Sequence, residues 1–100
     1  MKIITICGSL KFQEEMMIEA QKLALRGNCI LTPIYPVLKD IVITKEQFQF
    51  LKEEHFKKIE LSDAILVINK DNYIGESSKL EIEYAKSLNK TIIYYTDLLG

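Results

Sequence analysis

Four short apolar runs separated by segments of helical periodicity constrain this chain more than any other feature. The run Ile3-Ile4-Thr5-Ile6, closed by Gly8, is continuous and β-branched, the pattern of a strand covered on both faces. Residues 12–26 then carry Met16, Met17, Ala20, Leu23 and Ala24 at helical spacing, with Gly27 as the stop. Residues 29–32 read as a second strand, broken by Pro33. A longer helix follows over residues 44–62, opened by a capping box of Thr44 with Gln47 and carrying Phe48, Leu51, His55 and Ile59 on one stripe. Residues 64–68 form a third strand, residues 69–77 a loop, residues 78–89 a third helix and residues 91–95 a fourth strand. Strand and helix alternating at this spacing build right-handed β-α-β units, and these build a parallel sheet.

The chain has 100 residues, enough for one domain and one core that must also hold the site. Hydrophobic residues at 48% and charged ones at 27% are the balance of a globular protein. Thirteen Lys and Arg against 14 Asp and Glu leave a net charge of −1, so no broad attraction to nucleic acid or anionic lipid is built in. A small-molecule partner is the expectation. Cys7 and Cys29 lie in apolar runs, as reduced core cysteines do, and residues 1–7 are too short for a signal h-region or a membrane span. A cytoplasmic protein is expected. One histidine and two distant cysteines offer no ligand spacing, so no metal site is expected.

In a parallel sheet, ligands collect where strand carboxyl ends meet helix amino ends, here residues 8–11, 32–35 and 69–78. The turn Cys7-Gly8-Ser9-Leu10-Lys11 can hold an anion on backbone N–H groups, with Lys11 adding charge. It is equally an ordinary turn with Ser9 as a cap and Lys11 in solvent. Neither Gly-x-Gly-x-x-Gly nor Gly-Lys-Ser/Thr is present. On the third helix, Glu83 shares a face with Lys79, Lys86 and Lys90 and belongs to a solvated stripe. Glu81 shares one with Tyr84, Ala85 and Leu88, which places a carboxylate inward. Glu81 then either folds back on Ser78 as a capping box or acts chemically. Asp71 lies on the same edge, Asp63 on the opposite one as a turn or cap residue, and His55 is a lone histidine on an apolar stripe.

The segments Cys7-Gly8-Ser9-Leu10-Lys11, residues 55–63 and residues 73–85, ending Glu81-Ile82-Glu83-Tyr84-Ala85, resemble the nucleoside 2-deoxyribosyltransferase family, which includes the 2'-deoxynucleoside 5'-monophosphate N-hydrolases. The resemblance runs over residues 3–95. It implies a flavodoxin-like three-layer α/β/α fold with four to five parallel strands, a homodimer or larger assembly, and no cofactor. It also implies cleavage of the N-glycosidic bond of a deoxynucleoside or deoxynucleotide, by hydrolysis or transfer, with Glu81 as nucleophile. Gly8, Ser9 and Lys11 would lie along the sugar and 5'-phosphate and Ser77 and Ser78 would hold the same groups; Gly75, and Asp71 from its place on the same sheet edge, complete the expected binding set. By spacing from Glu81, His55 stands where the family's leaving-base aspartate does, as a general acid. A tyrosine frequent in the family's first strand is replaced by Ile6-Cys7, leaving Tyr35 or Tyr73 to make that contact. Phe50 and Leu61, off the main stripe, suit a second buried face of their helix. Two other classes compete: a noncatalytic nucleotide-binding module in which Glu81 only caps its helix, and a receiver-like domain. The latter is disfavoured because residues 2–9 hold no carboxylate for Mg²⁺.

Overall fold

The structure is a computed structural model that describes residues 1–99. Its elements are β1 (Ile3–Gly8), a 3-10 turn (Leu10–Phe12), α1 (Gln13–Leu25), β2 (Cys29–Leu31), α2 (Lys45–Leu61), β3 (Ala64–Ile68), a second 3-10 turn (Lys70–Asn72), α3 (Glu76–Ser87), β4 (Thr91–Tyr94) and a short α4 (Tyr95–Leu98). The four strands form one parallel sheet in the order β2-β1-β3-β4. The fold is a small three-layer α/β/α domain of the flavodoxin-like type. Among the described residues no helix is long and apolar enough to cross a membrane.

The two-residue period of a strand sorts the central side chains between the outer layers. Ile4 and Ile6 of β1 with Ala64, Leu66 and Ile68 of β3 pack against Phe12 and Met16 on the α1 side. Cys7 of β1 with Ile65 and Val67 of β3 pack against Ile59 of α2 and Ile82 and Ala85 of α3 on the other. At the foot of the sheet, Ile3 N–H donates to Asp63 Oδ2 at 2.8 Å and Asp63 N–H donates to the Ile3 carbonyl at 2.8 Å. This is the turn role read for Asp63. The chain runs outward from β1 to β2 in one direction and from β3 to β4 in the other, so the strand order reverses between β1 and β3. A crevice opens at such a reversal, beyond the carboxyl ends of the two strands.

Several element boundaries and faces differ from the sequence reading. Helix α1 buries Met16 and Glu19 in line with Phe12, at offsets of four and seven residues that define one face, and this leaves Met17 and Ala24 exposed. Helix α3 starts at Glu76 with Gly75 in extended conformation as its cap, two residues before the position expected. Ser78 is therefore inside the first turn and buried, and the Ser78–Glu81 capping box does not form. On the face shared with Glu81, Ala85 is buried, Tyr84 is half-buried against Phe56, and Leu88, at the helix end, is exposed.

The Thr44–Gln47 capping box of α2 does form, with reciprocal bonds of 3.0 and 3.1 Å. Only the second half of the helix packs, however: His55 and Ile59 are buried, whereas Phe48 and Leu51 are exposed. Length explains this. Seventeen residues at a rise of about 1.5 Å run about 25 Å, whereas five-residue β3 spans about 17 Å. The first turns of α2 thus overhang the sheet edge beside residues 33–43.

Central β3 is buried along its whole length, so truncation there leaves a void that flanking helices cannot fill. Leu66→Ala is expected to lower unfolding free energy by about 3 kcal/mol in urea titrations, with the slope against denaturant unchanged.

Candidate active site

Gly8 ends β1 opposite Ile68 of β3. A Cβ at Gly8 would stand 3.2 Å from Ile68 Cβ and 3.3 Å from its carbonyl oxygen, so glycine is what lets the two strand ends approach this closely. Ser9 then turns the chain, its Oγ accepting from Lys11 N–H at 3.3 Å. Above the two strand ends lies a cavity of about 640 Å³, within the range of small-molecule sites. Gly8, Ser9, His55, Gly75, Ser77, Ser78 and Glu81 all line it. Gly75 caps α3 without a side-chain bond, and the first backbone bond of the helix runs from Lys79 N–H to the Gly75 carbonyl. The N–H groups of residues 76–78 have no intrahelical acceptor, a polarity that favours an anion beside the two serine hydroxyls.

Lys11 and Asp71 fall outside this lining. Lys11 Nζ sits over the Tyr73 ring, 3.3 Å from its centroid, and Phe12 meets the same ring edge-on at 6.0 Å. Its ammonium is thereby held against an aromatic face instead of pointing into the cavity. Asp71 is exposed, in a left-handed conformation within the second 3-10 turn, and does not line the cavity. Of the two tyrosines considered for the sugar contact, Tyr73 lines the cavity. Tyr35 packs its ring against the α1-side core with its hydroxyl buried and without a partner among the described residues, and burial raises that hydroxyl's pKa.

Three carboxylates border the cavity, and their surroundings separate them. Glu76 is 90% exposed and pairs with Lys79 at 3.1 Å; Glu54 is 39% exposed and pairs with Lys58 at 2.9 Å. Glu81 is 17% exposed, and among the described residues its only ion-pair neighbour is His55, with Nε2 at 3.5 Å from Oε1. Two acids are thus paired with lysines, and the third is turned inward with an imidazole beside it. The same His55 Nε2 lies 3.4 Å from Cys7 Sγ, so β1, α2 and α3 each contribute one group to a buried cluster. Burial, reinforced by the Glu81 carboxylate, pushes the Cys7 thiol well above its ordinary value. Cys7 is therefore a neutral S–H facing an imidazole and a carboxylate.

Cys7 is the member of this cluster that the sequence reading assigned only to the core. The available signal was the strand period, which puts residue 7 on the face opposite Ile6. Pro33 and Ile34, on the edge expected over residues 32–35, border the cavity, and Phe48, Leu51, Phe56 and Leu80 of α2 and α3 extend this apolar wall beyond the sequence expectation. No family model matches this chain, and no curated protein matches its sequence.

The raised thiol pKa has a measurable consequence. The folded protein keeps a proton on Cys7 that the unfolded chain releases above the ordinary thiol value of 9.0, so the stabilisation is complete below that pH and is lost as pH rises. In the presence of a chelator, unfolding free energy measured between about pH 8 and about pH 10 should fall more steeply for the parent than for Cys7→Ala. The difference is limited to about 1.4 kcal/mol per pH unit, the value for one proton.

Proposed function

We propose that this protein cleaves the N-glycosidic bond of a 2'-deoxynucleoside or its 5'-monophosphate, with Glu81 as the nucleophile. The observation that supports this reading best is the environment of Glu81: among the described residues, the one carboxylate on the cavity wall that is largely buried and free of a lysine. A carboxylate neutralised by lysine is a poor nucleophile, and one in open water is solvated; Glu81 is neither. The resemblance of residues 7–11, 55–63 and 73–85 to the deoxyribosyltransferase family points to the same residue.

In this reading Glu81 attacks C1' of the deoxyribose, the bond from C1' to the base nitrogen breaks, and the base leaves with a proton through an oxocarbenium-like transition state. The product is a glycosyl ester on Glu81. Water attacking C1' releases the sugar and restores the carboxylate; a second base attacking C1' gives transfer instead. His55 Nε2 faces Glu81 at 3.5 Å, a geometry suited to orienting the carboxylate; in this proposal His55 is also the general acid for the leaving base. Ser9, Ser77, Ser78 and the free N–H groups of α3 suit the sugar hydroxyls and a 5'-phosphate. The base would lie against Ile34, Phe48 and Phe56, the apolar wall of the cavity. The route needs no cofactor.

The working unit in this proposal is a homodimer that covers the overhanging half of α2. The chain exposes 6820 Å², whereas a compact monomer of 11.6 kDa exposes about 5,800 Å². The excess coincides with exposed Val37, Leu38, Ile41, Val42, Phe48 and Phe50. A groove of about 370 Å³ between Ile41, Ile43 and Phe50 shares Leu51 and Glu54 with the cavity wall, so a second copy seated there would border the site. Leu61, at the other end of α2, is also exposed.

Incubation with a panel of deoxynucleosides and their monophosphates, with and without an acceptor base, should release free base detectable by chromatography. Glu81→Gln should lower turnover by at least about a thousandfold while ligand affinity changes little. Ligand binding with no release by the parent protein under any condition would instead identify a noncatalytic binding module. Sedimentation should give twice the 11.6 kDa chain mass, and Phe50→Glu should shift the protein toward monomer.

A further inference from the structure

We infer that Cys7, His55 and Glu81 bind one thiophilic divalent cation of the Zn²⁺ class at the cavity floor, and that its binding withdraws Glu81 from catalysis. The second half of the inference rests on the role proposed for Glu81 above; the first half stands on geometry alone.

Three donor types, a sulfur, an imidazole nitrogen and a carboxylate oxygen, converge from β1, α2 and α3, all within 4.8 Å of one another. Tetrahedral zinc holds nitrogen and oxygen at about 2.0–2.1 Å and sulfur at about 2.3 Å, which sets neighbouring donors about 3.3–3.6 Å apart. His55 Nε2 stands 3.4 Å from Cys7 Sγ and 3.5 Å from Glu81 Oε1. Both separations are already those of two edges of such a tetrahedron, so a small closing movement of Cys7 and Glu81 completes the three-donor face. The donor set selects the ion. Mg²⁺ and Ca²⁺ seek six or more oxygens, and this cluster has one carboxylate, whereas sulfur with imidazole suits zinc and its neighbours.

His55 and Glu81 line the cavity while Cys7 closes the cluster from within the sheet, so the ion enters from the cavity and its fourth position faces it. On binding, the Cys7 proton goes to solvent, and thiolate plus carboxylate balance the two charges of the cation. The oxygen lone pair that would attack C1' is then a metal ligand. A reversible metal brake and a working nucleophile share one side chain.

The test uses the full-length protein stripped with a chelator and titrated anaerobically with Co²⁺, then Zn²⁺, without substrate. One equivalent of Co²⁺ should give intense tetrahedral d–d absorption and a thiolate-to-cobalt charge-transfer band, both abolished by one equivalent of Zn²⁺. Cys7→Ser should lose the charge-transfer band, and Cys7→Ser and His55→Gln should each weaken Co²⁺ binding by at least about tenfold, with circular dichroism confirming that both fold. Cys29→Ser, whose half-buried thiol lies on β2, should bind like the parent. Weak octahedral absorption, binding of more than one ion with equal affinity, or a charge-transfer band that survives in Cys7→Ser overturns the site. Stoichiometric Zn²⁺ should also stop base release, with chelator restoring it; base release unaffected by bound Zn²⁺ overturns the brake. Metal binding without base release from any substrate leaves the site standing and removes the glycosidase reading, whereas base release without metal binding does the reverse.

Discussion

The parallel pairing that brings Gly8 of β1 beside Ile68 of β3 is the contact on which the rest of the site depends. Two strand ends can approach this closely because residue 8 has no Cβ to meet the Ile68 side chain and carbonyl. The same register fixes the parity of β1. With Ile4 and Ile6 committed to the α1 layer, Thr5 and Cys7 must face α2 and α3. Thr5 meets Ser62 and the Lys58 carbonyl at the end of α2, and Cys7 meets His55 one turn and more before it. A slip of one residue would send Ile6 to the polar cluster and Cys7 to the α1 core.

Local polarity follows from which groups find partners. Lysines take up Glu54 and Glu76 at the rim, and Lys70 takes up Glu15 at 2.7 Å, tying the loop after β3 to α1. Asn69 anchors that loop from the other side, its Oδ1 accepting from Thr96 N–H and its Nδ2 donating to Thr96 Oγ1, both at 3.1 Å. Glu81 is left with a histidine and a thiol. An inward carboxylate so placed is costly to keep unless it bonds, reacts or binds something, which is the physical basis for the proposed nucleophile and the inferred metal brake alike. The overhang of α2 is the second unsatisfied feature: a helix whose first turns present Phe48 and Phe50 to solvent asks for a cover.

Much of this was legible in the residues. The β-branched runs, the Thr44–Gln47 box and the Gly27 stop located every principal strand and helix, because each signal is local and acts over a few residues. The third helix was misplaced at its start, since Ser78 with Glu81 imitates a capping box and Gly75, a backbone-only cap, carries no side-chain signal. Lys11 and Asp71 were drawn into the site by their position on the correct sheet edge. The Tyr73 ring takes up the Lys11 ammonium and Asp71 stays exposed outside the lining, neither visible from spacing.

Periodicity and turn chemistry alone determined the order of elements, the parallel sheet and the edge on which a ligand would sit, because those properties depend on neighbours in the chain. Only the tertiary structure decided that residues 7, 55 and 81 share one buried cluster. Their separations in sequence are 48 and 26 residues, far beyond any local pattern, and their meeting depends on which face each crossover helix takes. Three unremarkable residues, a core cysteine, a lone histidine and an inward acid, acquire shared chemistry when parity and packing set them 3.4 and 3.5 Å apart.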